Sequence, residues 1–143
     1  MGKRLVRVLN GEALEGAIVE TEAYFGAGDP ASRAFYGRKN YNRLMWGEPG
    51  RVFIYNVHKY WMLNIVAHEP DEIGAVLIRA IEPTRGIESM LRNRPVDSLR
   101  ALTSGPGKLT IALGIDKGSH GASVLSLGSE IRILDSSAYP EIG

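Results

Sequence analysis

The chain has 143 residues, of which 44% are apolar and 23% charged, and its formal net charge is +1 at pH 7. The length predicts one domain over residues 1–143 that can bury a core, and the near-zero net charge means that any nucleic-acid footprint must be local. The absence of cysteine excludes disulfides, thiolate catalysis and cysteine-rich zinc sites. No apolar run reaches the length of a membrane span and the N-terminus lacks a signal-peptide core, so we expect a cytoplasmic protein.

The N-terminal stretch predicts a β-hairpin. Residues 3–9 read as a strand, and Asn10-Gly11 is a strong signal for a two-residue turn, because both residue types tolerate positive φ. The second strand then runs to Tyr24. Strand alternation puts two sets of residues on opposite faces: Ile18, Glu20, Glu22 and Tyr24 on one, and Val19, Thr21 and Ala23, of a size to pack on a core, on the other.

The face that carries Glu22 and Tyr24 combines a carboxylate with an aromatic ring. Such a pair can activate a water molecule beside a stacked, planar substrate. Glu20, two residues from Glu22, opposes ionisation of both carboxylates and could tune one of them as a base. The alternative is a strand with a solvated polar face, which is common in antiparallel sheets.

A loop signal at residues 26–30 is followed by a basic segment with interleaved aromatic residues. Basic and aromatic side chains together suit a phosphate backbone and exposed bases. The alternative is a solvated loop with scattered charge. The residues concerned are Arg33, Arg38, Lys39 and Arg43, with Phe35, Tyr36 and Tyr41 between them.

Residues 51–66 predict a second hairpin, with a polar and bulky tip at residues 56–60. A helix across this region is the alternative, since periodicity alone does not separate the two. For Tyr55 and Trp61 the simplest role is core packing, and for His58 it is a surface imidazole.

Arg79 interrupts an apolar run at residues 74–81, so it needs a charged partner or an open cleft. A salt bridge to a nearby glutamate is one reading. Pro83 is expected to end this strand, and residues 84–94 to form a helix. At residues 104–109, Pro106 suits the first turn of a further helix that runs to about Leu113. Free N–H groups at its start, together with Lys108, suit a phosphate, or Lys108 is merely solvated.

The three histidines do not occur at metal-ligand spacing, so we expect no metal site. His120 lies in a segment rich in Gly and Ser and is expected to be a solvated loop residue.

Three segments, in this order and spacing, resemble the 3-methyladenine (N-methylpurine, alkyladenine) DNA glycosylase family. They are residues 18–24, residues 77–83 and the Ser-Gly-Pro-x-Lys-Leu motif at residues 104–109. The resemblance extends from about residue 2 to about residue 116. It implies an α+β fold, with a curved, mainly antiparallel sheet, surrounding helices and a protruding β-hairpin that inserts into DNA.

The resemblance also implies roles for individual residues. Glu22 matches the catalytic carboxylate, Tyr24 and Tyr55 match the rings that stack on a flipped base, and Asn64 matches a pocket-wall residue. Arg33 stands where the family usually has a histidine; it can stack on a base but cannot exchange a proton as imidazole does. His58 occupies the offset of the wedge tyrosine, with Tyr60 as the alternative. The implied DNA contacts are Arg38, Asn42, Arg43, His58, Arg79 and Lys108.

The implied activity is that of a monofunctional DNA glycosylase, active as a nucleoid-associated monomer. It would excise an alkylated or deaminated purine from double-stranded DNA and leave an abasic site, with no cofactor. Two other readings stay open: a nucleic-acid-binding module of the same fold without turnover, and an RNA-binding protein of a related fold. Retention of Glu22 favours the enzyme, since a carboxylate near phosphates would weaken mere binding.

Overall fold

The computed structural model describes residues 2–24, 45, 47–68, 73–126 and 128–135. Within these ranges there are six strands: β1 (Lys3–Leu9), β2 (Glu12–Tyr24), β3 (Val52–Val57), β4 (Tyr60–Val66), β5 (Ala75–Arg85) and β6 (Ile131–Asp135). They form one sheet in the order β3-β4-β5-β2-β1-β6, and neighbouring strands pair antiparallel. This confirms the predicted α+β class with a curved, mainly antiparallel sheet. No helix in these ranges is long and apolar enough to cross a membrane. The helical elements in these ranges are α1 (Ile87–Asn93), α2 (Leu99–Leu102), α3 (Pro106–Leu113) and a 3-10 turn (Lys117–Ser119).

Both predicted hairpins are confirmed. The β1–β2 turn uses Asn10 and Gly11, with φ of 53° and 82°, in the left-handed region that such a turn requires. The β3–β4 hairpin turns at His58 and Lys59, and His58 has a φ of 57°. The helix considered for this region is therefore wrong.

The two faces of the sheet carry separate apolar clusters. Alternate residues of β3 divide between them, with Val52 and Ile54 on one face and Phe53 and Tyr55 on the other. The first face packs under the helices, and its cluster is called the helix-side core. The second cluster consists of Met45, Phe53, Tyr55, Met62, Val66, Ala75 and Leu77, with Tyr24 packed against it.

The alternation predicted along β2 fails at a bulge. The β2–β5 register shifts between Ile18 and Glu20 and again between Glu20 and Thr21, so that Val19 has no partner in this ladder. A bulge reverses the facing of the residues beyond it. Ile18 therefore lies in the helix-side core, whereas Tyr24 packs on the second cluster.

The expectation that Val19, Thr21 and Ala23 pack on a core is also wrong, because all three are exposed.

Strand β5 continues past the proline that was expected to end it. Pro83 pairs opposite Gly16, and Arg85 pairs opposite Glu15 across a register shift. A local irregularity tolerates proline, which has no N–H to donate to the ladder. Helix α1 consequently begins only at Ile87, after Gly86 at a φ of 76°.

Buried charges connect the strands to the helices. Glu15 is 3% exposed and accepts hydrogen bonds from Arg4 at 2.7 Å and from Arg85 at 3.0 Å. Arg7 donates to the Leu113 and Gly114 carbonyls at the C-terminal end of α3, where cations are favoured. The Glu15 contacts thus join β1, β2 and β5, and the Arg7 contacts fix α3 against β1.

Candidate active site

A row of residues crosses four strands on the face of the second cluster. Glu22 in β2 pairs opposite Leu77 in β5, Leu77 opposite Asn64 in β4, and Asn64 opposite Phe53 in β3. Directly opposed residues point to the same side of a sheet. Glu22 and Asn64, which are far apart in sequence, are therefore brought to one face by backbone pairing.

Glu22 is held by two donors on one carboxylate oxygen. The Tyr24 hydroxyl donates to Oε1 at 2.9 Å, and the Arg79 guanidinium donates to the same atom at 2.8 Å. The Glu22 side chain is 46% exposed. Among the described residues no hydrogen bond engages Oε2. This arrangement orients the carboxylate and leaves one oxygen for a water molecule.

One of the two sequence interpretations of Arg79, a salt bridge to a glutamate, is confirmed, and the implied contact with DNA stays a prediction. The arginine forms the salt bridge to a glutamate that its position demanded, and the glutamate is the candidate catalytic residue. The register irregularity next to Glu20 leaves Arg79 of β5 without a ladder partner in β2. The irregular pairing of β2 with β5 thus places the Arg79 guanidinium next to the Glu22 carboxylate.

Tyr24 is a hydrogen-bond donor over a wide pH range. Burial, the hydrogen bond to Glu22 and the negative charge of Glu22 raise the pKa of Tyr24 to about 12, with a further contribution from Tyr55 and an opposing one from Arg79. The phenol therefore stays protonated at neutral pH and continues to donate to Glu22.

Tyr55 and Asn64 form the floor beside this carboxylate. The Tyr55 ring lies 5.4 Å from that of Phe53 at an interplanar angle of 49°, and Tyr55 is only 9% exposed. Asn64 is 1% exposed and donates through Nδ2 to the Met62 carbonyl at 3.3 Å. The ring of Tyr55 and the amide of Asn64 are thus held in place by neighbouring groups and form a fixed floor for the site.

Glu20, in contrast, does not share the environment of Glu22. Glu20 lies between the two register shifts and lines a separate cavity beside α2, together with Val19 and Leu99. The Glu20 side chain is exposed there.

The Ser-Gly-Pro-x-Lys-Leu motif forms the start of α3, as predicted, with Pro106 in the first turn. Tyr60, which is 45% exposed at the hairpin tip, lies directly over Gly107. The stem of Lys108 passes over Gly105, and the residue is exposed. Tyr60 and Lys108 line a shared cavity of about 350 Å³ that also includes Arg94.

His58 lies exposed at the tip of the same hairpin. The predicted residues thus form two groups: Glu22, Tyr24, Tyr55, Asn64 and Arg79 on one sheet face, and His58 and Lys108 at the hairpin tip and helix start. Four further candidates, Arg33, Arg38, Asn42 and Arg43, lie outside the described residues.

His120 corrects one expectation and supports the site. Its Nδ1 accepts a hydrogen bond of 2.9 Å from the Ile54 backbone N–H, and its ring contacts Phe53 edge-on, with centroids 5.9 Å apart. His120 is therefore half-buried and supports β3 from the loop after the 3-10 turn, whereas it was expected to be solvated. No group of three or more potential metal-ligating side chains occurs in the part of the chain that the structure describes.

The chain matches one protein family over almost its whole length. The family model described as "Methylpurine-DNA glycosylase (MPG)" matches residues 1–142. The chain belongs to this family.

Relatives from three organisms agree with this assignment. A Clostridium perfringens protein is 44% identical over 99% of this chain and 73% of its own length. A Chlorobaculum parvum protein is 44% identical over 99% of this chain and 68% of its own. A Bacillus subtilis protein is 47% identical over 85% of this chain and 62% of its own. Each carries the name "Putative 3-methyladenine DNA glycosylase".

Proposed function

We propose that this protein is a monofunctional DNA glycosylase that hydrolyses the N-glycosidic bond of a damaged purine in double-stranded DNA. The observation that carries the proposal is the carboxylate of Glu22, anchored through one oxygen and beside an aromatic floor. Family membership and the names of the relatives support the same activity. Location at the nucleoid and action as a monomer are part of this proposal.

The proposed reaction begins with extrusion of the damaged nucleotide, because its glycosidic bond is not accessible inside the duplex. Extrusion costs a few kcal/mol, and least for a weakly paired lesion. The flipped base stacks between Tyr24 and Tyr55, with Arg33 as a further wall. Lys108, Arg38, Asn42 and Arg43 hold the backbone, and His58 or Tyr60 fills the vacated space.

Glu22 then acts as the general base. Its Oε2 takes a proton from a water molecule while the water oxygen forms a bond to C1′ and the bond from C1′ to the base breaks. The electron pair of that bond leaves with the base. Positive charge develops on the sugar, so a nearby carboxylate also stabilises the transition state electrostatically. The products are the free base and an abasic site.

The proposed roles of Tyr24 and Arg79 follow from their shared contact with Oε1. Two donors fix the carboxylate rotamer, so that the lone pairs of Oε2 face the water and not the ring of Tyr24. Arg79 is also well placed to approach a phosphate of the flipped nucleotide.

Lesion choice depends on the charge of the base. A cationic alkylated purine departs as a neutral molecule and needs no acid, but the cation of Arg33 would repel it. A neutral lesion such as hypoxanthine avoids this repulsion and requires a proton for departure. The proposal covers both classes, and the ranking of lesions will show which effect dominates.

The test uses labelled duplexes that each contain one hypoxanthine, ethenoadenine or 3-methyladenine-type lesion. Hot alkali reveals abasic sites after incubation. We expect cleavage with the wild type and none with Glu22→Gln, which keeps lesion binding. Glu20→Gln is the matched control, because the same exchange two residues away lies in a different environment, and it should retain at least half of the activity.

Lesion-specific binding by the wild type without cleavage would contradict the proposed glycosylase activity and indicate a binding module. Equal activity of wild type and Glu22→Gln would remove Glu22 from the mechanism. Preference for single-stranded RNA over every lesion duplex would indicate the RNA-binding alternative.

A further inference from the structure

A second cavity lies beside α2 and takes no part in the proposed reaction. It has a volume of about 610 Å³, and its lining includes Val19 and Glu20 of β2, Glu82 of β5, and Leu99 and Arg100 of α2. We refer to it as the α2 cleft. The bulge at Val19 creates one wall, because it turns Val19 and Glu20 out of the regular strand alternation.

The cleft exposes apolar surface on both walls. Val19 is 41% exposed on the strand side, and Leu99 is 52% exposed on the helix side. Neither is needed for the helix-side core, to which Ile81 at the base of the cleft belongs. These two side chains form a small apolar patch, and the groove between them has room for one apolar side chain of a partner.

The charge of the cleft is predominantly negative. Glu20 and Glu82 are exposed, and within the described residues neither forms an ion pair or a side-chain hydrogen bond. Arg100 is the cation at the rim. Two unneutralised carboxylates beside apolar surface repel phosphate and attract a cationic group.

The position of the cleft separates it from the candidate active site. Ile81 and Ile87, which line it, belong to or pack against the helix-side core, whereas Tyr24 and Tyr55 lie in the second cluster. An occupant of the cleft therefore does not need to displace a base from the site of Glu22.

We propose that the α2 cleft binds an extended segment of another protein in which an apolar side chain is flanked by Lys or Arg. The apolar side chain inserts between Val19 and Leu99, and the cations pair with Glu20 and Glu82. Arg100 donates to a backbone carbonyl of the segment. This inference does not depend on the proposed glycosylase activity.

The probe is a fluorescein-labelled twelve-residue peptide of lysines and leucines, with two control peptides of equal length. One control replaces the lysines by glutamates, and the other replaces the leucines by serines. Fluorescence anisotropy with the full chain should show binding of the first peptide, with affinity at least tenfold weaker for the serine peptide and no binding of the glutamate peptide.

Two variants locate the binding to the cleft. Glu82→Lys and Leu99→Ser should each weaken the affinity at least fivefold. Glu88→Lys is the matched control, since it reverses the charge of an exposed glutamate on α1 that does not line the cleft, and it should change the affinity less than twofold. Circular dichroism and thermal unfolding confirm that each variant is folded.

The proposal is overturned if the lysine–leucine peptide does not bind, or if the glutamate peptide binds equally well. It is also overturned if Glu88→Lys weakens binding as much as Glu82→Lys, because attraction would then be a property of the whole surface. Retained binding by both Glu82→Lys and Leu99→Ser would place the peptide elsewhere.

Discussion

The Arg79 guanidinium lies 2.8 Å from Glu22 Oε1, although 57 positions separate the two residues in the chain. Both side chains are more than 40% exposed, so the ion pair is screened by water and contributes little to the free energy of folding. Its geometry is nevertheless specific, because Tyr24 donates to the same oxygen. A contact of this kind is better explained by orientation of the carboxylate than by stability.

Arg79→Gln should therefore separate activity from stability. Loss of a hydrogen bond to a charged group costs roughly 1.5–3 kcal/mol, so we expect single-turnover base excision to slow by roughly 10- to 100-fold. The free energy of unfolding should change by less than about 1 kcal/mol. Lys3→Gln, which removes another exposed ion pair, is the control and should leave both unchanged. A large loss of stability in Arg79→Gln would assign the arginine to the scaffold.

The raised pKa of Tyr24 predicts that the free energy of unfolding decreases at high pH. Its pKa is raised to about 12 in the folded protein from an ordinary value of 10. The folded state therefore retains a proton that the unfolded state loses, and the associated stability is full below pH 10 and is lost as the pH rises toward about 12. Urea unfolding at pH 9, 10 and 11 should show a shallower decline for Tyr24→Phe than for wild type.

The control for this series is Tyr60→Phe, which removes a hydroxyl from a half-exposed ring at the hairpin tip. It should keep the decline of the wild type. Identical pH slopes for wild type and Tyr24→Phe would show that the hydroxyl of Tyr24 does not carry this dependence.

Gly107→Ala should disturb the contact between the second hairpin and α3. An added Cβ would lie 2.7 Å from Tyr60 Cγ, so the ring must move, and overpacking of this kind costs about 1–3 kcal/mol. Chemical denaturation measures the loss, and Tyr60→Ala in the same chain should recover most of it. Gly105→Ala meets only the flexible Lys108 stem, at 3.3 Å, and is the matched control. Equal losses in both variants would indicate a general effect on α3.

Glu15→Gln should be the most destabilising of these exchanges. The side chain of Glu15 is 4% exposed and that of its partner Arg4 is 8% exposed, so loss of the carboxylate breaks a buried ion pair and also removes the charge that Arg85 contacts. Such a change typically costs about 3–5 kcal/mol. Glu130→Gln, which alters an exposed partner of the buried Arg7, should cost less than about 1 kcal/mol. A small effect at Glu15 would show that its ion pairs with Arg4 and Arg85 contribute little to the free energy of folding.

The elements that were predictable from the sequence are those with strong local signals. Asn10-Gly11 specifies its turn, and Pro106 specifies the start of α3, because each constrains φ by its own chemistry. Glu22 and Tyr24 were correctly placed on one face, since strand alternation holds over two residues. The facing of Ile18 was wrong, because a single extra residue at Val19 reverses the alternation and leaves no local signature.

Contacts over long sequence separations were not predictable. His120 was expected in solvent, yet it bonds to the backbone of Ile54, 66 positions away. Arg79 was expected to need a partner, but its identity depends on two irregularities in the β2–β5 ladder. The need of Arg79 for a partner follows from the apolar sequence around it. The identity of that partner depends on how the strands of the sheet pair.

The row from Glu22 through Leu77 and Asn64 to Phe53 has a consequence for how this site can form. Four strands must pair in one register before the carboxylate and the aromatic floor lie on the same face, and a slip of one residue would turn a strand's side chains over. If only some of these strands pair correctly, the carboxylate and the aromatic floor do not lie on one face, and the site has no partial function. A mutation elsewhere in these strands that allows an alternative register would therefore abolish the site, although all of the site residues would still be present in the chain.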